Sequence, residues 1–213
     1  MNARDGALVR NGSIDYREAW EVQRRLVAAR MAGAIPDVVW LLEHPPTYTT
    51  GRHGTRADLH MTDEALAAAG GVYVAADRGG QMTWHGPGQT VAYLICDLRA
   101  GRRVRAFVDA LVGAMADAAG LYIRGRKLGS VGIRVTQGIT YHGLALTRAP
   151  APAWLDAMTA CGAPDVPSTS IAAEGGDPDR ERIDAALADA LGRRLHLNLR
   201  PAALDRLTAA VPA

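Results

Sequence analysis

Apolar and polar positions follow two different periods along this chain, and the switches between them outline its elements. The stretch ALVRNGSI near the N-terminus reads as a short strand. Asp15, with Glu18 three residues later, resembles a capping box opening a helix, in which Trp20, Val27 and Met31 recur at roughly helical spacing and are assigned to the core. Val38 to His44 is a continuous apolar run of strand length, ended by Pro45 and Pro46. Thr62 to Ala69 reads as a short helix stopped by Gly70 and Gly71. Strands at Val72 to Ala76 and Val91 to Ile95 flank a glycine-rich segment, DRGGQMTWHGPGQ. The clearest helix covers Val104 to Ala119, with Val104, Phe107, Val108, Leu111, Val112 and Met115 on one face and Gly120 beyond its end. Alternation of Val131, Ile133 and Val135, then Gln137-Gly138, then a return through Ile139 to Leu146, predicts a hairpin. Ala149 to Ala153, rich in Pro and Ala, is the one candidate linker. Asp177-Pro178 starts a last helix with Pro in its first turn, and the segment after Arg180 is amphipathic. Strands and helices are interspersed without strict alternation, which predicts an α+β (mixed α/β) fold. The expected organisation is one domain, with a core of about residues 8–175 and a helical segment over 177–213 packed on it.

Composition narrows the function classes. With 48% hydrophobic and 22% charged residues, the 213-residue chain has the make-up of an ordinary globular domain large enough for one substantial core. A net charge of +2 gives no case for nucleic acid or membrane binding across the whole surface. The stretch MNARDGALVRNG has no apolar h-region and no run reaches membrane-span length, so the expected location is the cytoplasm. There Cys96 and Cys161 are expected as free thiols. Cys96 lies in the apolar strand YLICDL and reads as an inert small hydrophobe. Cys161, in TACGAPDV, lies between a helical turn and a Pro-punctuated loop, where both a nucleophile and an unreactive thiol remain open. Of 24 Lys and Arg, one is lysine: Lys127. An arginine keeps its proton where a lysine can lose it, so chemistry and coding bias both account for that position. DRGGQMTWHGPGQ matches neither the P-loop nor the dinucleotide fingerprint, and by composition alone it is a turn system with a satisfied histidine. With no CxxC or HExxH spacing, no metal and no cofactor are expected.

Four stretches nevertheless carry a resemblance. LLEHPPTYTTGR, DRGGQMTWHGPGQTVAYLICDLR, RKLGSVGIRVTQGITYHGLAL and CGAPDVPSTSI look like the successive motifs of the lipoyl(octanoyl) transferases, in the same order from about Val38 to Glu174. The resemblance implies a fold like that of the biotin and lipoate protein ligases. It also implies transfer of an octanoyl group from octanoyl-acyl carrier protein to lipoyl domains of 2-oxoacid dehydrogenases or of the glycine cleavage H protein. Matched position by position, Cys161 falls on the family's acyl-accepting cysteine and Lys127 on its partner lysine. By the same matching, Arg78, Gly79, Gly80, Gln81, Met82, Thr83, Trp84 and His85, then Ser130, Val131 and Gly132, then Gly143, Leu144 and Ala145, would bind substrate. Three positions depart from the family pattern: Trp84 for Tyr or Phe, Thr147 for Asn, and Ala160 for Pro. They bear on acyl-chain preference and on the stiffness of the cysteine loop. Competing readings are an ATP-dependent lipoate or biotin ligase, and a non-catalytic binder of lipoyl domains. Arg99, Arg102, Arg103 and Arg105 crowd a helix start, where the macrodipole disfavours cations, and with Arg124 and Arg126 they form a candidate dock for an acidic carrier protein. Local carboxylates such as Asp97 and Asp109 are the alternative partners of these arginines.

Overall fold

The computed structural model describes residues 3–99, 101, 103–120, 125–162 and 165–210, except the side chain of Cys161. Strand β1 (Arg4–Ser13), helix α1 (Tyr16–Met31) and strand β2 (Asp37–Glu43) form a crossover that sets β1 and β2 parallel. Asp15 caps α1, accepting from the N–H groups of Arg17 at 2.8 Å and Glu18 at 3.2 Å. Next come β3 (Thr47–Thr50), α2 (Asp63–Ala68), β4 (Val72–Ala75), β5 (Met82–His85) and β6 (Gln89–Ile95). The chain continues through α3 (Val104–Ala119), the hairpin of β7 (Gly129–Thr136) and β8 (Ile139–Thr147), and α4 (Pro152–Asp156). It then runs through α5 (Arg180–Leu195), β9 (Leu197–Pro201) and α6 (Leu204–Ala209).

The strands make two sheets: a six-stranded one in the order β7-β8-β6-β2-β1-β9 and a three-stranded one in the order β4-β3-β5. The continuous apolar run of β2 follows from burial on both faces. Val38, Trp40 and Leu42 pack with Val9, Leu26 and Ile95 on the α1 side, while Val39 and Leu41 join Leu94, Leu111 and Leu187 on the α3 and α5 side. A third cluster, Tyr48, Leu66, Met82, Trp84, Leu155, Met158 and Ala160, backs the small sheet. The α+β class therefore holds, as does the hairpin: Gln137 and Gly138, at φ 46° and 81°, give its two-residue turn the left-handed geometry that matches strand twist.

Five expectations change. The glycine-rich segment contains a strand, β5, which propensity obscured because glycines bracket only four residues. Helix α3 buries Phe107, Leu111, Ala114 and Ala118, whereas Val104 and Val112 are 47% and 50% exposed. Small alanines, not the valines, let α3 approach α5 and the sheet. Of the three residues assigned to the α1 core, only Val27 is fully buried, since Trp20 and Met31 lie at its edge. Finally, Pro178 precedes α5 rather than entering its first turn; Asp179 is the cap, accepting from the Arg182 N–H at 2.8 Å. The segment beyond it is more than a packed helix, because β9 joins the main sheet parallel to β1.

No helix among the described residues is long and apolar enough to cross a membrane.

The α3 packing yields a paired prediction. Leu111→Ala should cost about 2–5 kcal/mol in denaturant unfolding, as a fully buried leucine does. Val112→Ala should stay within about 0.5 kcal/mol. Equal losses at the two positions would mean that the helix faces the other way.

Candidate active site

A cleft with about 430 Å³ of free space, including its open mouth, lies where the small sheet faces the end of the large one. Thr83 and His85 of β5 form one wall, and Val91 and Tyr93 of β6, Ser130, Val131 and Gly132 of β7, and His142, Gly143, Leu144 and Ala145 of β8 form the other. Tyr16, in the first turn of α1, and Arg78, Gly80 and Gln81, ahead of β5, complete it. Register creates the space: Gly132 sits opposite Gly143, so one rung of the hairpin carries no side chains. Gly143 admits nothing larger, since a Cβ there would stand 2.0 Å from the carbonyl oxygen of Ala92.

Arg78 fixes the junction of the sheets. Its Nη2 donates to Thr49 O and Thr49 Oγ1, both at 2.7 Å, and its Nη1 to Gly79 O at 3.0 Å. The Gly79 N–H in turn donates to Ile133 O of β7 at 2.9 Å.

Aromatic and imidazole groups crowd the cleft's inner end. His44 Nδ1 donates to Ile14 O at 2.7 Å, which leaves Nε2 to accept from the Tyr93 hydroxyl at 2.7 Å. Burial pushes the pKa of His44 down to about 4 and holds that of His85 well below the ordinary imidazole value, an effect that His44 and Arg78 reinforce at His85. His85 Nδ1 lies 2.9 Å from Gln89 Oε1, and its ring stacks on Tyr16 at 5.7 Å. The Tyr16 hydroxyl is raised to about 12 by burial, partly offset by Arg78 beside it. Asp77, at the edge of this group, is lowered although burial opposes it, because hydrogen bonds from His142 and Tyr141 outweigh the desolvation. At neutral pH these imidazoles are therefore uncharged and aligned.

Of the substrate-binding residues carried over from the family pattern, Arg78, Gly80, Gln81, Thr83, His85, Ser130 to Gly132 and Gly143 to Ala145 line this cleft. Gly79, Met82 and Trp84 do not. Gly79 holds β7 through its backbone, and alternation along β5 turns Met82 and Trp84, neither with any exposed surface, into the cluster behind the small sheet. Trp84 still borders a smaller cavity of about 240 Å³, which is lined by Lys127, Ser168 and Thr147 and shares Thr83 and Ser130 with the main cleft. Lys127 is held there by its backbone, donating to Pro167 O and accepting from Thr169 N–H, each at 2.9 Å.

Cys161 sits in the short 3-10 turn Ala160–Gly162. The turn is anchored on both sides: Thr159 N–H donates to Asp58 O at 2.8 Å, and Ala160 is buried beside Trp84. Gly162, at φ 62°, abuts the amide of Gln81 so closely that a Cβ would lie 2.4 Å from Nε2. The backbone of this turn therefore meets the cleft at Gln81. Tyr16, Val91, Tyr93 and His142 escaped the sequence reading. The signal for His142 was a histidine in the return strand, one position before Gly143.

Among the arginines weighed as a carrier-protein dock, Arg99 grips Asp97 through its backbone N–H, Nε and Nη2, Arg105 lies 3.7 Å from Asp109, and Arg126 pairs with Glu174 at 2.7 Å. Each of these three therefore has a local carboxylate beside it, Arg103 is the residue that precedes α3 at its start, and Arg102 and Arg124 fall outside the described residues.

The family model of the lipoyl protein ligase A/B catalytic domain matches residues 15–192. An octanoyltransferase of Alcanivorax borkumensis is 38% identical over 90% of this chain and 81% of its own. Another, of Thiobacillus denitrificans, is 37% identical over 87% of this chain and 88% of its own. Among solved structures, lipoate-protein ligase A bound with ATP superposes with a TM-score of 0.69 at 11% identity, covering 98% of this chain and 93% of that one. The biotin protein ligase of Aquifex aeolicus in complex with biotin and ATP gives 0.51 at 11% identity, over 89% and 70%.

The buried imidazoles set a pH dependence. Because folding depresses the His44 pKa from 6.5 to about 4, the unfolded chain binds its proton first as pH falls. The stabilisation is complete above pH 6.5 and is lost between there and pH 4, amounting to about 3 kcal/mol, with His85 and His142 adding in the same direction. Denaturant midpoints measured across that window should fall with acid and fall less steeply in His44→Gln; a flat profile in the wild type would contradict neutral burial.

Proposed function

The chain belongs to the lipoyl protein ligase A/B catalytic domain family and stands with its octanoyltransferases. From that membership we propose that it moves an octanoyl group from octanoyl-acyl carrier protein to the target lysine of a lipoyl domain, through an acyl-thioester on Cys161. This would be the first step of endogenous protein lipoylation. The observation that carries the reading is the meeting of three features on one cleft. The cavity lined by Lys127 shares Thr83 and Ser130 with it, and the turn bearing Cys161 abuts its Gln81. A glycine-opened, largely apolar trough between them suits a medium-length acyl chain.

The chemistry needs two proton movements. The Cys161 thiol gives its proton to Lys127, or stands as a thiolate paired with the ammonium, and the sulfur attacks the thioester carbonyl. The carrier's pantetheine sulfur leaves with that proton, so one thioester replaces another at little cost. The amine of the target lysine then attacks the acyl-cysteine carbonyl, the C–S bond breaks, and an amide forms. The proton lost by that amine must pass to a base, a role that neutral Lys127 can fill and an arginine cannot. Backbone N–H groups of the glycine-rich segments are the candidate donors to the oxyanion. Acceptors of this chemistry are lipoyl domains of 2-oxoacid dehydrogenases or the glycine cleavage H protein.

Incubation with octanoyl-carrier protein, without ATP, should add one octanoyl mass to Cys161. Cys161→Ser should abolish the adduct, and the label appearing on another residue would move the nucleophile. Lys127→Arg should keep the fold and lower turnover by about 10²–10⁴, the usual worth of a positioned base. Wild-type turnover in that variant would remove Lys127 from the mechanism, and an absolute requirement for ATP would make the protein a ligase.

A further inference from the structure

His142 has no part in the transfer just described, yet the fold strains to position it. It is a non-glycine residue at φ 57° inside β8, a left-handed conformation that persists only where the surroundings impose it. Its backbone N–H donates to Oε1 of Gln23, a fully buried side chain of α1, at 2.7 Å. Regular alternation would send the ring toward α3 with Leu144. Instead it stacks on Tyr141 at 4.8 Å and lies near Trp20 and Tyr93 on the α1 side.

The ring is 1% exposed and borders the cleft. Its Nε2 lies 2.8 Å from Asp77 Oδ1, while Asp77 Oδ2 accepts from the Tyr141 hydroxyl at 2.6 Å and lies 3.3 Å from Arg134. These contacts keep Asp77 ionised and able only to accept, so Nε2 carries the hydrogen. Nδ1 is then a bare acceptor, and it is buried without a partner. Leaving a buried acceptor unmet is destabilising. Tyr93 is committed to His44 and His85 Nδ1 to Gln89, while the nearby donors Nε2 of Gln23 and Nε1 of Trp20 are, like Nδ1, buried without a partner.

Register locates this acceptor relative to the chemistry. Ser130, which borders the Lys127 cavity, pairs with Ala145, and His142 pairs with Ile133, three rungs further on. That is roughly 10 Å along the strands, the reach of a medium-length acyl chain lying in the trough.

We propose that His142 Nδ1 receives a hydrogen-bond donor at the far end of the acyl chain, so that the cleft accepts ω-hydroxylated medium-chain acyl groups alongside the plain octanoyl group. The inference rests on the transferase reading above. A wholly apolar pocket would separate the two chains by about 10². Pairing the hydroxyl with an otherwise orphaned acceptor should shrink that ratio below tenfold.

The test uses the full-length protein with a lipoyl-domain acceptor and carrier-protein thioesters of octanoate and ω-hydroxyoctanoate. For the wild type, kcat/KM for the two should agree within tenfold, and His142→Phe should widen the gap by about tenfold or more against the hydroxyl chain. A second measurement does not depend on that variant folding. In wild-type protein labelled with ¹⁵N-histidine, free ω-hydroxyoctanoate should shift the Nδ1 resonance of His142, and octanoate should not. A hundredfold preference for octanoyl, or an unmoved Nδ1 resonance, overturns the proposal while leaving octanoyl transfer standing. Transfer of neither chain overturns the transferase reading and this inference with it.

Discussion

One buried guanidinium decides whether the cleft exists. Arg78 binds the backbone and hydroxyl of Thr49 in the small sheet while its own loop is pinned, through Gly79, to Ile133 at the edge of the large sheet. The two sheets share no strand, so this clasp fixes their separation and hence the width of the trough between them. An arginine suits the task because its planar fork satisfies several carbonyl and hydroxyl acceptors at once. Lysine would offer a single point charge and leave part of that set unmet.

Around the clasp, the imidazoles at the inner end of the trough are polar but uncharged. His44, His85 and His142 are all held below the ordinary imidazole pKa, first of all by burial. This arrangement tolerates an apolar chain because no imidazolium has to be desolvated when it enters. It also keeps the imidazoles out of proton traffic at neutral pH, which leaves Lys127 as the base on which the proposed mechanism relies.

Much of this was legible in the sequence, and the exceptions share a cause. Long periodic stretches announced α3 and the β7-β8 hairpin because each element's own residues carry the signal. The strand β5 was hidden, since only four residues lie between glycine-rich turns and their burial depends on partners far away in sequence. Val104 and Val112 were misassigned because helical spacing gives a face but not which edge of it is covered, and the alanines that let α5 come close decided that. Family motifs led to the cleft's glycines and to Arg78, Thr83 and His85. They did not lead to Tyr16, Tyr93 or His142, which three separate elements bring together. Met82 and Trp84 fell in the same motif yet face away, because a motif records adjacency while a strand sends alternate residues to opposite sides.

The pairing of β9 beside β1 bears on how the molecule is made. A strand starting at Arg4 acquires its second neighbour only from residues starting at Leu197, with nearly the whole chain between them. During synthesis the large sheet must therefore wait with β1 exposed along one edge until almost the last helix has emerged, a long-range closure that is slow by nature. That interval, rather than any weakness of the finished core, is when a nascent copy is open to mispairing with its neighbours.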